Sequence, residues 1–227
     1  MDDKHPSWRP VAYALGIAGS AFLIVGSLTH RLPMDPTEVL AFVSGGWAVW
    51  LTVKQNIWNW PIGIANSAFY LIVFFQTRLY ADMSLQAVYV VLGFLGWYWW
   101  LRGGPNRSEL NVSRAGPALA VLLSAILIGA TWLMTSFLMR INVSAPFLDA
   151  LTTVLSLIAQ FMLTRKLFEN WFVWITADII YIGLYTYKGL YLTSILYAIF
   201  LAMCIVGVIR WRRSMRRVSV GSEAINA

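Results

Sequence analysis

The chain has 227 residues, of which 59% are hydrophobic and only 12% charged, with a formal net charge of +7. Soluble domains carry roughly 45–50% apolar and about 25% charged residues, which excludes a water-facing domain of this size. Cys204 is the single cysteine, so an internal disulfide and a thiolate metal cluster are excluded too, while 12 Trp, 10 Tyr and 12 Phe exceed what lipid demands, because Leu or Val meet it equally well.

A membrane-spanning helix needs about 20 mostly apolar residues. Eight stretches fit: 11–28, 38–53, 58–76, 83–101, 117–138, 148–163, 170–187 and 193–211. No small-residue cleavage pattern follows the first, which predicts a retained helix and not a signal peptide; its Gly16 and Ser20 form a small-xxx-small pair suited to close packing. The second contributes Trp47 and Trp50, the third Asn66, and the fourth Gln86 and Tyr89. Trp97, Trp99 and Trp100 at the end of the fourth are expected in an interfacial aromatic belt. In the sixth stretch Asp149, Thr152, Thr153, Ser156 and Gln160 fall within one narrow arc. Such a polar stripe cannot face lipid, so it lines a cavity or joins helices; Asp149 is equally placed to cap its helix.

In the seventh stretch Trp171, Trp174, Asp178 and Tyr181 are spaced i, i+3, i+7 and i+10, one face of a helix. A mid-membrane carboxylate flanked by indoles suits a flat, positively charged ring, held by stacking, cation–π attraction and counter-charge. The structural alternative puts the two tryptophans in a belt and bonds Asp178 to a neighbouring helix. After the eighth stretch comes a basic tail, unstructured from Val218 to Ala227.

Basic residues set the orientation. With the N-terminus inside, Lys4, Arg9, Lys54, Arg102, Arg107, Arg114, Arg165, Lys166, Arg210, Arg212, Arg213, Arg216 and Arg217 face the cytoplasm, and Arg31, Arg78, Arg140 and Lys188 face outward; together these are all 17. Both termini are therefore expected in the cytoplasm. The basic tail is a topology signal and a contact for lipid headgroups, not a nucleic-acid site.

Glu38–Trp100 aligns without a gap on Asp149–Trp211 after a shift of 111, with 13 of 63 positions identical. Asn59-Trp60 meets Asn170-Trp171, Tyr70 meets Tyr181, Leu79-Tyr80 meets Leu190-Tyr191, Gly96 meets Gly207, and Trp100 meets Trp211. Two three-helix repeats separated by one helix enter the membrane in the same direction, the parallel arrangement of SWEET-like transporters, with substrate held between the halves near midplane. The segments are then 1–37 (tail and extra helix), 38–101 (first repeat), 102–147 (linker helix), 148–211 (second repeat) and 212–227 (tail). The fold class is all-α integral membrane, 3+1+3 plus one N-terminal span. His5 and His30, the only histidines, lie outside the spans, which disfavours an intramembrane Ser–His enzyme or a His-ligated metal, and no phosphate loop for ATP is present. No enzyme activity, cofactor or metal is expected.

The run Asn66…Phe74-Phe75-Gln76-Thr77-Arg78-Leu79-Tyr80-Ala81-Asp82…Leu85-Gln86…Gly96-Trp97 resembles the first-repeat signature of the Pnu vitamin transporter family, of the nicotinamide riboside (PnuC) type. Leu163-Thr164-Arg165-Lys166…Glu169-Asn170-Trp171…Trp174…Gly189-Leu190-Tyr191 resembles its second. The resemblance implies an inner-membrane homotrimer that takes up nicotinamide riboside by facilitated diffusion, with a cytoplasmic kinase trapping the product in NAD biosynthesis. Some relatives carry Asn at the position of Asp178, and other branches of the family take thiamine, riboflavin or nucleosides. Thiamine, with its cationic ring, is the main rival substrate. A proton-coupled symporter and a non-transporting capture or scaffold protein are further alternatives. The expected substrate-binding residues are Trp174, Asp178, Trp171, Gln160, Asn66, Gln86, Tyr89, Trp50, Tyr181, Ser156, Thr153 and Asp149.

Overall fold

The computed structural model describes residues 8–31, 36–76, 78, 80–141, 145–187, 189 and 191–226. Within them lie eight α-helices: α1 (Trp8–Leu28), α2 (Pro36–Val53), α3 (Asn59–Gln76), α4 (Tyr80–Arg102), α5 (Pro117–Arg140), α6 (Pro146–Thr164), α7 (Asn170–Tyr187) and α8 (Tyr191–Asn226). Each of the eight apolar stretches is thus helical. Among the described residues, Met83–Arg102, Pro117–Arg140, Pro146–Thr164 and Ser194–Arg216 are long and apolar enough to cross a membrane, and Gly16–Leu28 and Phe42–Val53 are shorter apolar lengths. Lys4, His5, Thr77, Lys188, Leu79, Leu190 and Ala227 lie outside the described residues.

The chain divides into two compact units, Met1–Trp47 and Ala48–Ala227. In the first, Trp47 lies across α1: its Nε1 donates to Ser20 Oγ at 3.0 Å and its ring stacks on Tyr13 with centroids 6.4 Å apart. A methyl group on Gly16 would touch this ring at 3.5 Å, so the Gly16–Ser20 pair forms the seat for an indole. Trp47, named above on the second stretch, is a packing residue of its own unit.

In the second unit α3 packs on α4, α7 on α8, α5 on α6, and α6 on both α7 and α4. α6 is the enclosed helix. Its buried residues include Thr152, Val154, Ser156, Ile158 and Met162, whereas α5 buries only Leu123 and Thr131. Val121, Ile128, Trp132 and Leu133 of α5 are exposed, an apolar surface suited to lipid. Pro146 occupies the first position of α6 and Ala145 the cap. That corrects the capping role considered for Asp149, which stands inside the first turn, where its charge still complements the helix dipole. The expectation of an unstructured tail is also corrected: α8 runs to Asn226. Arg212, Arg213, Met215, Arg216 and Arg217 are good helix formers, and Gly221 costs only about 1 kcal/mol in a helix interior.

Residues between α4 and α5 are tied to the α6–α7 turn. The Ser113 amide donates to Lys166 O at 3.2 Å, the Phe168 amide to Ser113 O at 2.8 Å, and the Ala115 amide to Glu169 Oε2 at 2.9 Å.

Candidate functional site

The turns after α2 and α6 are built alike, 111 residues apart. Gln55 (φ 56°) and Lys166 (φ 53°) both take the left-handed conformation that ends a helix. Their amides donate to Thr52 O and Leu163 O, and the amides of Asn56 and Leu167 reach back to Leu51 O and Met162 O. Each turn then delivers an Asn-Trp pair into the interior. Trp60 lies against Gly96 and Trp171 against Gly207, where an added Cβ would come within 2.2 and 2.6 Å of ring atoms. Only a residue without a side chain admits the indole there.

Four tryptophans therefore meet at this end of the bundle. Trp60 and Trp100 are edge-to-face at 5.4 Å, Trp171 and Trp211 at 5.3 Å, and Trp100 meets Trp211 at 6.0 Å. Two reciprocal bonds cross between the halves: Trp100 Nε1 donates to Leu163 O at 3.0 Å and Trp211 Nε1 to Thr52 O at 3.2 Å. Thr52 and Leu163 are themselves 111 positions apart. The same buried atoms stay unpartnered in each half, Asn59 Oδ1 with Trp60 Nε1 and Asn170 Oδ1 with Trp171 Nε1. Trp100, expected in a belt, is 3% exposed and part of this core; Trp171, expected to contact substrate, is enclosed at 1%. Cations surround the cluster. Lys54 and Arg210 lie 5.1 and 5.3 Å from the Trp50 ring centroid, Arg165 4.8 Å from that of Trp99, and Lys166 4.5 Å from that of Trp100. Lys166 is buried and donates to Leu110 O at 2.8 Å; burial holds its ammonium below the usual lysine pKa, with Glu109 opposing.

Deeper between the helices, α4, α6, α7 and α8 bring a polar set together. The hydroxyls of Thr152, Thr153 and Ser156 donate to carbonyls of their own helix, at Leu148, Asp149 and Thr153. Their oxygens remain free to accept. Tyr89 of α4 lies near Ser156, and Tyr181 of α7 near Thr152 and Ser156. Asp178, 3% exposed, receives a hydrogen bond from the Cys204 thiol of α8, Sγ to Oδ2 3.5 Å. Among the described residues it forms no ion pair. Tyr181, Tyr185 and Tyr197 stack nearly parallel, with centroids 4.5–5.8 Å apart, and Tyr181 and Tyr197 lie within the field of Asp178.

The remaining expected residues distribute as follows. Trp174 is half-buried and packs on the tryptophan cluster from the Asp178 side of α7. Trp50 packs on the same cluster between its two cations. Gln160, Asn66, Gln86 and Asp149 are half-buried. Sequence reasoning missed Cys204, Tyr185 and Tyr197, although 185 and 181 are one turn apart on α7. A separate groove of about 300 Å³ on the outer face of α4, lined by Phe94, Trp97, Tyr98, Leu101 and Arg102, holds none of the expected residues.

The chain is similar to proteins whose work is transport. Nicotinamide riboside transporter PnuC of Escherichia coli (strain K12) is 28% identical over 215 residues, covering 83% of this chain and 89% of that one. The same-named protein of Haemophilus influenzae is 25% identical over 221 residues, covering 93% and 94%. Riboflavin/roseoflavin transporter RibM of Streptomyces davaonensis is 26% identical over 184 residues, covering 77% and 85%. A solved structure, "Crystal structure of the Vitamin B3 transporter PnuC", shares the fold with a TM-score of 0.71 at 23% identity over 95% of each chain. Residues 35–213 match the family described as "Nicotinamide mononucleotide transporter", and the chain belongs to that family.

Proposed function

We propose that this protein is a multi-pass inner-membrane transporter that takes up nicotinamide riboside by facilitated diffusion with alternating access. The observation that carries the reading is Asp178, a buried carboxylate of α7 that forms no ion pair among the described residues. A buried charge is costly unless it is paired, so the site is built for a positive partner brought by the ligand. A pyridinium ring supplies that charge and can lie on the half-buried Trp174, a contact of about 0.5–2 kcal/mol. The hydroxyls of Tyr89, Thr152, Ser156 and Tyr181, with Gln160, Asn66 and Gln86 as further polar contacts, suit a ribose and a carboxamide. Flavin is neutral and makes no use of Asp178; thiamine is cationic and stays the second reading.

In this reading helices α2–α4 and α6–α8 are parallel repeats joined by α5, with α1 added and eight spans in all. The matched turns, glycines and indole bonds support it. The bias of basic residues supports cytoplasmic termini. Family resemblance adds a homotrimer and trapping of the product by a cytoplasmic kinase.

Purified protein in liposomes tests the proposal. Labelled nicotinamide riboside should enter saturably, down its own gradient, with no ion gradient imposed, and Asp178→Asn should raise KM at least about tenfold for loss of a charge-assisted contact. Flux of riboflavin but not of nicotinamide riboside would overturn it.

A further inference from the structure

Where the second half carries Asp178 and Cys204, the positions 111 residues earlier are Ser67 and Gly93. Gly93 gives α4 a close approach to Ile64, since an added Cβ would lie 2.6 Å from that side chain. The acid–thiol pair is therefore present on one side of the bundle only, as recognition of an asymmetric ligand requires. Both residues are more than nine-tenths buried, Asp178 at 3% and Cys204 at 4% exposure. Sγ stands 3.5 Å from Oδ2, and this is the one hydrogen bond the carboxylate receives among the described residues. Cys204 also belongs to the buried cluster on which Trp174 packs, so the thiol joins the charge to the same core that supports the aromatic side chain.

We propose that Cys204 is a positioning residue for cation recognition: its thiol donates to one oxygen of Asp178 and fixes the carboxylate so that the other oxygen faces the ligand. This rests on the reading of Asp178 as the ligand's counter-charge. A thiol is a weak donor, so it orients the acid while withdrawing little of its charge. A lysine or arginine at 204 would instead neutralise Asp178 and compete with a cationic ligand.

The test compares nicotinamide riboside with its dihydro form, which has nearly the same shape and no ring charge. Wild-type protein should bind the cationic form more tightly. Cys204→Ala should lower that preference about three- to tenfold, the range of an ordinary hydrogen bond and what a weak thiol donor supplies, and Cys204→Ser should restore most of it. A purely structural cysteine would weaken both ligands equally, and that outcome, or full preference retained in Cys204→Ala, overturns the proposal. Should the alanine variant fail to fold, alkylation of wild-type protein with N-ethylmaleimide decides. As the single cysteine, Cys204 should react at least about fivefold more slowly with saturating nicotinamide riboside, by the mass action of a bound ligand. An unchanged rate, or no reaction even without ligand, overturns it. Absence of any binding by wild-type protein refutes the functional reading itself, which separates the two failures.

Discussion

Lys166 shows how much one residue reports. Its left-handed backbone ends α6, its carbonyl accepts from Ser113, and its ammonium is used twice, on Leu110 O and on the face of Trp100. Burial lowers its pKa from the ordinary 10.5, so the unfolded chain binds the proton more tightly than the folded one. Stability linked to this group is therefore lowest at neutral pH and rises as pH climbs from the lowered pKa toward 10.5. Lys166→Met removes that dependence. The difference in Tm, wild type minus variant, should rise between pH 7 and 10.5 by on the order of 2 °C or more, measured by thermal unfolding in detergent. A flat difference would mean that the ammonium is as well solvated folded as unfolded. None of this was legible in the sequence, where Lys166 reads as one cytoplasmic charge among thirteen. Asp178 and Trp174 were legible, because a polar or aromatic residue at a fixed helical spacing needs only the period to be placed. Cys204 and Tyr197 were not, because both reach the Asp178–Tyr181 face of α7 from α8, and only tertiary packing brings that helix to α7.

At the scale of elements, the length of the apolar stretches located all eight helices to within a few residues, except at the end of α8, which runs on to Asn226. The repeat in the sequence is matched by the paired turns. The errors lie at ends and surfaces. Asp149 was a cap candidate because acids favour caps, but Pro146 starts the helix three residues earlier. Trp100 was assigned to the surface because Trp is common at interfaces, yet its N–H finds Leu163 O in the partner half. The glycines make this packing testable. Gly96→Ala and Gly207→Ala drive a methyl into rings already enclosed by protein and should each cost about 1–3 kcal/mol. Gly129→Ala in α5 meets nothing within 4 Å and should be neutral or stabilising by up to about 1 kcal/mol, since Ala is the better helix former. Equal melting temperatures for the three variants would show that the indoles repack freely.

Across the whole α3–α8 bundle, the driving force between helices differs from that of a soluble core. Lipid is as apolar as leucine, so polar bonds and close contacts hold the helices together. The tryptophan cluster supplies both, with three edge contacts and two reciprocal bonds on the order of 1 kcal/mol each. If the two halves rock as proposed, opening at the end that carries Lys54, Arg165 and Arg210 must break both indole–carbonyl bonds. Trp100→Phe with Trp211→Phe keeps one aromatic ring at each position, removes both donors and trims the buried contact. About 2 kcal/mol less then holds this end closed, a shift of on the order of 30-fold in the open population. Nitroxide labels at Trp58 and Arg212, in a Cys204→Ser background, report the change by pulsed dipolar spectroscopy. The double variant should populate a longer distance that the parent lacks, and each single variant should do so less. An identical distance distribution in all four proteins would mean that the cluster is a fixed floor, with opening confined to the far end of the helices.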